Sequence, residues 1–237
     1  MKWDFFIFKH TMTTSYSLYK SNKSLIHMKK TMALALLLVG IGTATAQNGS
    51  EKKGSKFEFQ ANGKLGFARL KQTNNVPLSG NVNGSDLLLA YKMSPKWSVA
   101  TGVGILQFDA NPTIAGNTAS IRNSYLQIPV RFVGDYNLFH GTEPKDPKLF
   151  LTLGLGLYAN TLLKQELETI TGNTDTNNMG WNFGLSTGVG IKFIVTDALN
   201  LGIGMENQSE FTKMKKNDVE QRIEQMNTLY FRLGLSL

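Results

Sequence analysis

From Trp181 to Phe193 the chain alternates between two kinds of residue. Trp181, Phe183, Leu185, Val189, Ile191 and Phe193 fall on one parity, with Thr187 the only polar member. Asn182, Gly184, Ser186, Gly188, Gly190 and Lys192 fall on the other. Successive side chains of a strand point to opposite faces, so this is one extended segment with an apolar and a polar face. It is about twice the usual strand of five or six residues. The pattern recurs along the chain. Phe57, Phe59, Ala61, Leu65 and Phe67 oppose Glu58, Gln60, Asn62 and Lys64. Leu149, Leu151, Leu153, Leu155 and Leu157 alternate with Thr152, Gly154 and Gly156. Leu199, Leu201, Ile203 and Met205 alternate with Asn200, Gly202, Gly204 and Glu206, and Leu229 to Leu237 repeats the scheme.

Eight segments read this way, at 56–69, 83–93, 97–109, 121–137, 148–162, 178–195, 199–211 and 225–237. An even number brings both ends of a meander to one side, as single-chain bacterial barrels require. Connections also alternate in length. Ser94-Pro95-Lys96 and Thr196-Asp197-Ala198 are short turns, whereas 70–82, 110–120, 163–177 and 212–224 are long and polar. The fourth connection, 139–147, is the exception on the short side. Short turns on one side and long loops on the other match an outer-membrane barrel with its turns in the periplasm.

Alternation alone also fits a soluble barrel. The distribution of charge separates the two. The bulky apolar face is almost uncharged, while the other gathers Gly, Ser, Asn, Gln and single charges, as lipid outside and a narrow polar lumen inside require. About eleven residues at about 3.4 Å each, tilted near 45°, span roughly 25 Å, the height of the apolar band of such barrels. The fold predicted for 56–237 is therefore all-β: a closed antiparallel eight-stranded up-and-down transmembrane β-barrel. Leu185 and Ile203 are expected to face lipid, and Gly188 and Gly202 the lumen. Trp97, Tyr91, Phe193, Trp181, Phe67, Phe211 and Phe231 are expected to form aromatic girdles at the strand ends. The expected inward set includes Glu58, Lys64, Lys92, Gln127, Arg131, Lys192, Glu206 and Arg232, both signs together, so that they pair inside a lumen that side chains fill. Pro129 lies within a strand and cannot donate to a ladder, so a bulge is expected there.

The N-terminal region reads differently. Met28-Lys29-Lys30, the apolar run Ala33 to Val39 and the site Ala44-Thr45-Ala46 form the three parts of a signal peptide. The apolar run is under half of the roughly 20 residues needed to span a bilayer as a helix. Residues 28–46 are thus expected to be removed after Ala46, leaving 47–55 as a short linker. Residues 1–27 are read as a start-site artefact or an extended n-region. Six Lys and one Asp precede Gln47, so most of the formal +8 charge leaves with that segment. The remainder has 19 Lys+Arg against 16 Asp+Glu, which removes the support for a nucleic-acid partner. The chain has no Cys, which excludes disulfides, thiolate metal sites and a Cys nucleophile.

Tyr125-Leu126-Gln127-Ile128-Pro129-Val130-Arg131-Phe132 resembles a Tyr-Leu-Glu-Ile-Pro-like strand of the PorT-like outer-membrane β-barrel family. Leu153-Gly154-Leu155-Gly156-Leu157 and the ending Arg232-Leu233-Gly234-Leu235-Ser236-Leu237 are similar to that family too. The resemblance runs over about 57–237 and implies a barrel in the outer membrane. Gln127 stands where that family's strand carries an acid, so the resemblance supplies no partner for Arg131.

No catalytic, cofactor-binding or metal-binding residue is assigned. A small outer-membrane lipid-modifying enzyme needs a positioned base, and His140 is the one His after Ala46. Asp135 nearby makes no triad with it. His140, Glu143 and Asp146 have irregular spacing for a metal, and Asp175 with Asn173, Asn177 and Asn178 is read as a polar loop rather than a Ca²⁺ site. A soluble lipocalin-like barrel binding a small ligand is disfavoured by the uncharged outer face. The expected role is structural or interactive: a barrel plugged by side chains in outer-membrane lipid, offering its loops to envelope partners. Lys213-Met214-Lys215-Lys216 is read as a solvated loop that could also meet acidic headgroups.

Overall fold

The computed structural model describes residues 56–73, 76–114, 117–138, 148–169, 172–176, 179–216 and 219–237. Residues 1–27, the expected signal peptide 28–46, the expected linker 47–55 and the segment 139–147 with His140, Glu143 and Asp146 lie outside them, as do Asn177 and Asn178.

Eight long strands form the wall: β1 (Phe57–Gln72), β2 (Leu78–Lys92), β3 (Trp97–Ala110), β4 (Ser120–Asn137), β5 (Leu149–Thr169), β6 (Trp181–Ile194), β7 (Leu199–Glu210) and β8 (Val219–Ser236). Each pairs antiparallel with the next, and β1 also pairs with β8, from Glu58↔Ser236 to Gln72↔Gln221. The sheet closes in a ring, so no strand of the wall is left with an open edge. The two tight turns share one geometry. Ser94 Oγ accepts from the backbone N–H of Trp97 at 3.1 Å, and Thr196 Oγ1 from that of Leu199 at 3.1 Å. In both, a short polar side chain closes the turn on its own backbone.

Six of the strands run further toward the loop end than the alternation indicated, whereas β6 begins at Trp181 rather than 178 and β7 ends at Glu210 rather than 211. β2 begins at Leu78 rather than 83, β5 continues to Thr169 rather than 162, and β8 begins at Val219 rather than 225. Short ladders extend the hairpins: Gly172–Thr176 pairs with β5, and Met214–Lys216 with β8. Much of what reads as polar loop is therefore paired sheet.

Faces segregate as expected within the lipid band. Leu185 and Ile203 point outward, with 49% and 44% of their surface exposed, whereas Asn182, Ser186 and Glu206 beside them are buried. Aromatic residues ring the turn end, where Trp97 stacks on Phe132 at 4.8 Å and meets Tyr136 edge-on at 5.8 Å. Phe67, Trp181, Phe183 and Phe211 are exposed toward the loop end. Phe231 is exposed but sits opposite Gly63 and Ile203, inside the band rather than in a girdle.

Beyond the band the faces exchange character. Outward positions of β1 run Leu65, Phe67, Arg69, Lys71, while inward positions run Asn62, Lys64, Gly66, Ala68, Leu70. The loop end of the lumen holds a hydrophobic core of Leu70, Leu106, Phe108, Leu162, Ile223 and Met226, among others. The expectation of an inner face of Gly, Ser, Asn, Gln and single charges thus holds in the lipid band and is corrected at the loop end. Once the outside of the strand leaves lipid for water, it becomes polar and the inside can take the apolar side chains.

Two register shifts fall at this boundary, at Ser124/Tyr125 on β4 against β5 and at Arg69/Leu70 on β1 against β8. No bulge forms at Pro129. Its pairing with Tyr158 on β5 is regular. On the β3 side the ladder opens between Thr101↔Val130 and Gly104↔Gln127 without changing register. The missing N–H is absorbed as a gap in one ladder, and Thr101 Oγ1 donates to Pro129 O at 3.0 Å beside it.

The inward glycines divide into two kinds. Tyr230 lies over Gly204, where a Cβ would stand 2.4 Å from Val189 O and 2.6 Å from Tyr230 Cζ. Tyr158 covers its partner Gly184 in the same way, aromatic rings shielding bare backbone. Gly188 is different: a Cβ there meets only Met205 O, at 3.4 Å, and it borders a void of about 30 Å³ beside Arg131 and Arg232. That space suits about two waters, not a phenyl ring. Gly204→Ala should therefore cost about 1–3 kcal/mol through overpacking while Gly188→Ala stays near neutral. Urea titration of the barrel folded in liposomes reads both, and equal costs would mean that the ring-on-glycine contacts do not constrain the wall.

Candidate functional site

Four ionised side chains from four strands meet in mid-lumen. Lys64 of β1 lies 2.7 Å from Asp86 of β2 and 3.0 Å from Glu206 of β7. Arg131 of β4 lies 2.8 Å from the same Asp86 and 3.0 Å from the same Glu206. Each cation touches both acids, so the group is neutral as a whole, and all four residues are buried. Isolated charges of this kind would be costly at such burial, and only mutual pairing makes them tolerable. Gln208 Nε2 donates to Glu206 at 2.9 Å and Gln127 Nε2 donates to Gln208 at 2.9 Å, linking β7 to β4 across the lumen.

Further pairs fill the lumen on either side. Toward the turn end Arg232 Nε donates to Asn62 at 3.0 Å, Lys92 lies 3.5 Å from Glu58, and Lys192 pairs with Asp135. Asp135 also accepts from Thr152 at 2.9 Å, so it is an interior ion-pair member with no His beside it among the described residues. Toward the loop end Tyr125 OH accepts from Asn123 at 2.8 Å and from Gln221 at 2.6 Å. Glu210 accepts from Asn160 at 2.9 Å and from the Ile223 backbone. The apolar core lies at the same height: Tyr125 belongs to it, and Leu106 and Phe108 stand opposite Tyr125 and Asn123.

The inward set of Glu58, Lys64, Gln127, Arg131, Glu206 and Arg232 is buried as expected, and Lys92 and Lys192 are half-buried toward the turn end. The sequence reading missed Asp86, which completes the central group, and Gln208, Glu210 and Asn160. Asp86 was legible, since it shares the parity of Leu88 and Ala90, both buried, and opposes the exposed Leu87 and Leu89. Arg131 gains its acids from β2 and β7 rather than from position 127 of its own strand.

A second polar arrangement stands on the outside, above the lipid band. On the β8–β1 side Glu224 is approached by Arg69 at 3.6 Å, Lys71 at 3.4 Å and Arg222 at 3.4 Å. Lys213 bonds Glu220 at 2.6 Å, so the 213–216 run is in part tied to β8, with Met214 buried beneath it. Hydrogen bonding from Lys213 holds the Glu220 carboxyl below its usual range. Partial burial would raise that of Glu224, but hydrogen bonds from Lys71 and Arg222 outweigh it and hold it low as well. On the β3–β5 side Arg122 pairs with Asp109 at 2.8 Å and Lys164 with Glu166 at 2.7 Å. Asp175 lies 3.3 Å from Lys164, so its carboxylate is spent on an ion pair there.

The sequence matches the family model described as outer membrane protein beta-barrel domain over residues 33–236. No curated protein matches it. Among solved structures the chain is similar to Neisserial surface protein A, NspA, at 15% identity and a TM-score of 0.46, with 77% of this chain and 98% of that one covered. It is similar to OprG from Pseudomonas aeruginosa at 10% identity and a TM-score of 0.42, covering 78% and 98%. Ail, the attachment invasion locus protein of Yersinia pestis, aligns at 15% identity and a TM-score of 0.38, covering 75% and 99%. With a ring of eight strands closed by β1 and β8, apolar outside and ion-paired within, and a family match over most of its length, the chain belongs to the outer membrane protein beta-barrel domain family and is an outer-membrane β-barrel membrane protein.

Proposed function

We propose that this barrel acts through its loop-end surface and not as a pore, its role being structural or interactive. The observation that carries this reading is the filled lumen. The Lys64–Asp86–Arg131–Glu206 group occupies the middle, and the apolar core around Phe108 and Met226 occupies the loop end. A wall of eight strands encloses a space that side chains can fill, and here they do. The paired hairpins that rise beyond the lipid band give rigid surfaces to which an envelope partner can dock. The resemblance of the Tyr125–Phe132 strand supports membership of a PorT-like subfamily, but a shared fold does not transfer a specific role. Export by a signal peptide at 28–46, cleaved after Ala46, belongs to the same proposal.

Two measurements test it. In planar lipid bilayers the folded chain should give no stable open-channel conductance, and an ohmic, long-lived channel would overturn the plugged reading. The intact mass of protein extracted from the cell envelope should begin at Gln47, and a chain retaining Met28 to Ala46 would overturn the processing step.

A further inference from the structure

The outward face of β1 reads, in order toward the loop end, Leu65, Phe67, Arg69, Lys71. Successive outward positions are about 7 Å apart along a strand and about 5 Å apart along the membrane normal at a tilt near 45°. Arg69 therefore stands about 5 Å above the exposed Phe67 ring and Lys71 about 10 Å above it, at the depth of headgroup phosphates rather than acyl chains. Arg222 on β8 and Lys213, Lys215 and Lys216 on the adjoining hairpin share this side of the rim. The shift of register at Arg69/Leu70 turns Glu224 to the outside between the cations.

The acids here do not cancel the cations. Glu224 and Glu220 are 22% and 31% exposed, against 58% for Arg69, 50% for Lys71 and 52% for Lys213. Both carboxylates lie deeper than Arg69, Lys71 and Lys213, which form the outer layer, whereas Arg222 at 31% is no more exposed than Glu220 and stands with the acids behind them. Between the end of β1 and the hairpin, Lys71, Thr73, Lys213, Glu220 and Arg222 line an open groove of about 360 Å³. Across the barrel, Arg122 and Lys164 are matched by Asp109, Glu166 and Asp175, so of these two sides the β8–β1 side carries the basic excess among the described residues.

We infer that the β8–β1 rim, with Arg69, Lys71, Arg222 and Lys213 above Phe67, binds the phosphate of an anionic glycolipid in the surrounding outer leaflet. The inference rests on the interactive reading above and names the lipid as the partner of this side. Lipid below and phosphate above are met by one strand face, an arrangement that a soluble anion or an acidic peptide would not need. Guanidinium groups suit bidentate contact with phosphate oxygens, and the lysines add charge without fixed geometry.

The test uses the chain from Gln47 folded in neutral dodecyl maltoside micelles. Diphosphoryl lipid A and its fully dephosphorylated form are titrated in, and retained lipid is read by native mass spectrometry. The phosphorylated lipid should bind at least about tenfold more tightly. The variant Arg69→Gln/Lys71→Gln/Arg222→Gln should lose that preference, whereas Arg122→Gln/Lys164→Gln on the opposite side should keep it. Heat-modifiable gel mobility checks folding. Should the triple variant misfold, Lys71→Gln and Lys213→Gln singly replace it, each expected to weaken binding about threefold. Equal binding of both lipids, or unchanged binding by the β8–β1 variants, would overturn the inference. So would full displacement by inorganic phosphate at the concentration of the lipid, since that would mark a site for a soluble anion. Channel conductance by the same preparation would instead overturn the plugged reading and leave the lipid result standing.

Discussion

Glu206→Leu should cost this barrel about 3–5 kcal/mol of stability, one of the two largest effects expected of a single side chain. Glu206 is 3.0 Å from both Lys64 and Arg131, and all three are buried. Removing it leaves two buried cations sharing Asp86, and the penalty is that of an uncompensated charge rather than of a lost bond. The double variant Lys64→Met/Glu206→Leu should recover much of the loss. It removes one charge of each sign and keeps the Arg131–Asp86 contact at 2.8 Å. Urea unfolding in liposomes, followed by heat-modifiable mobility, gives both values. Near-neutrality of Glu206→Leu, or a double variant worse than the single one by the full additive amount, would mean that the four groups do not act as one neutral unit.

Leu185→Arg is the other large effect, at about 2–4 kcal/mol for a cation in the interior of the lipid face. Leu185 pairs with Leu157 on β5, and both project outward. The contrast with Leu185→Phe carries the weight of the test. Acyl chains adapt to a larger side chain, so Phe should cost little, whereas the packed interior beside Gly204 cannot admit even a methyl group. Gly188→Phe should be damaging too, because the space beside Gly188 is smaller than the ring. The same folding assay in liposomes reads all of these. A crippling Leu185→Phe beside a tolerated Gly188→Phe would reverse the inside and outside of the barrel.

The strands, their parity and the two short turns were legible because they depend on neighbours in sequence. A period of two needs nothing beyond the pleat, and Ser94 and Thr196 close their turns within four residues. Strand ends were less legible. At Arg69, Lys71 and Leu70 the alternation continues but its meaning inverts, since the same polar–apolar pattern serves a barrel in lipid and one in water. Reading the outward run Leu65, Phe67, Arg69, Lys71 as a continuing strand would have carried β1 to Gln72. Pro129 illustrates the opposite limit: its lack of a donor was evident, but whether the ladder would bulge or open depended on which neighbour its nitrogen faced.

By itself, then, the sequence determined that this chain must close a long, amphipathic antiparallel sheet with its apolar face outward, because alternation and the scarcity of charge on that face are local properties. Tertiary structure alone decided which inward groups meet. Lys64, Asp86, Arg131 and Glu206 lie far apart in the chain, and their contact follows from the stagger at which β8 closes on β1 and from a lumen narrow enough for side chains to reach across. Ring closure also decided where the membrane barrel stops and its water-facing extension begins. That boundary depends on what surrounds all eight strands at a given height, and no single strand contains that information.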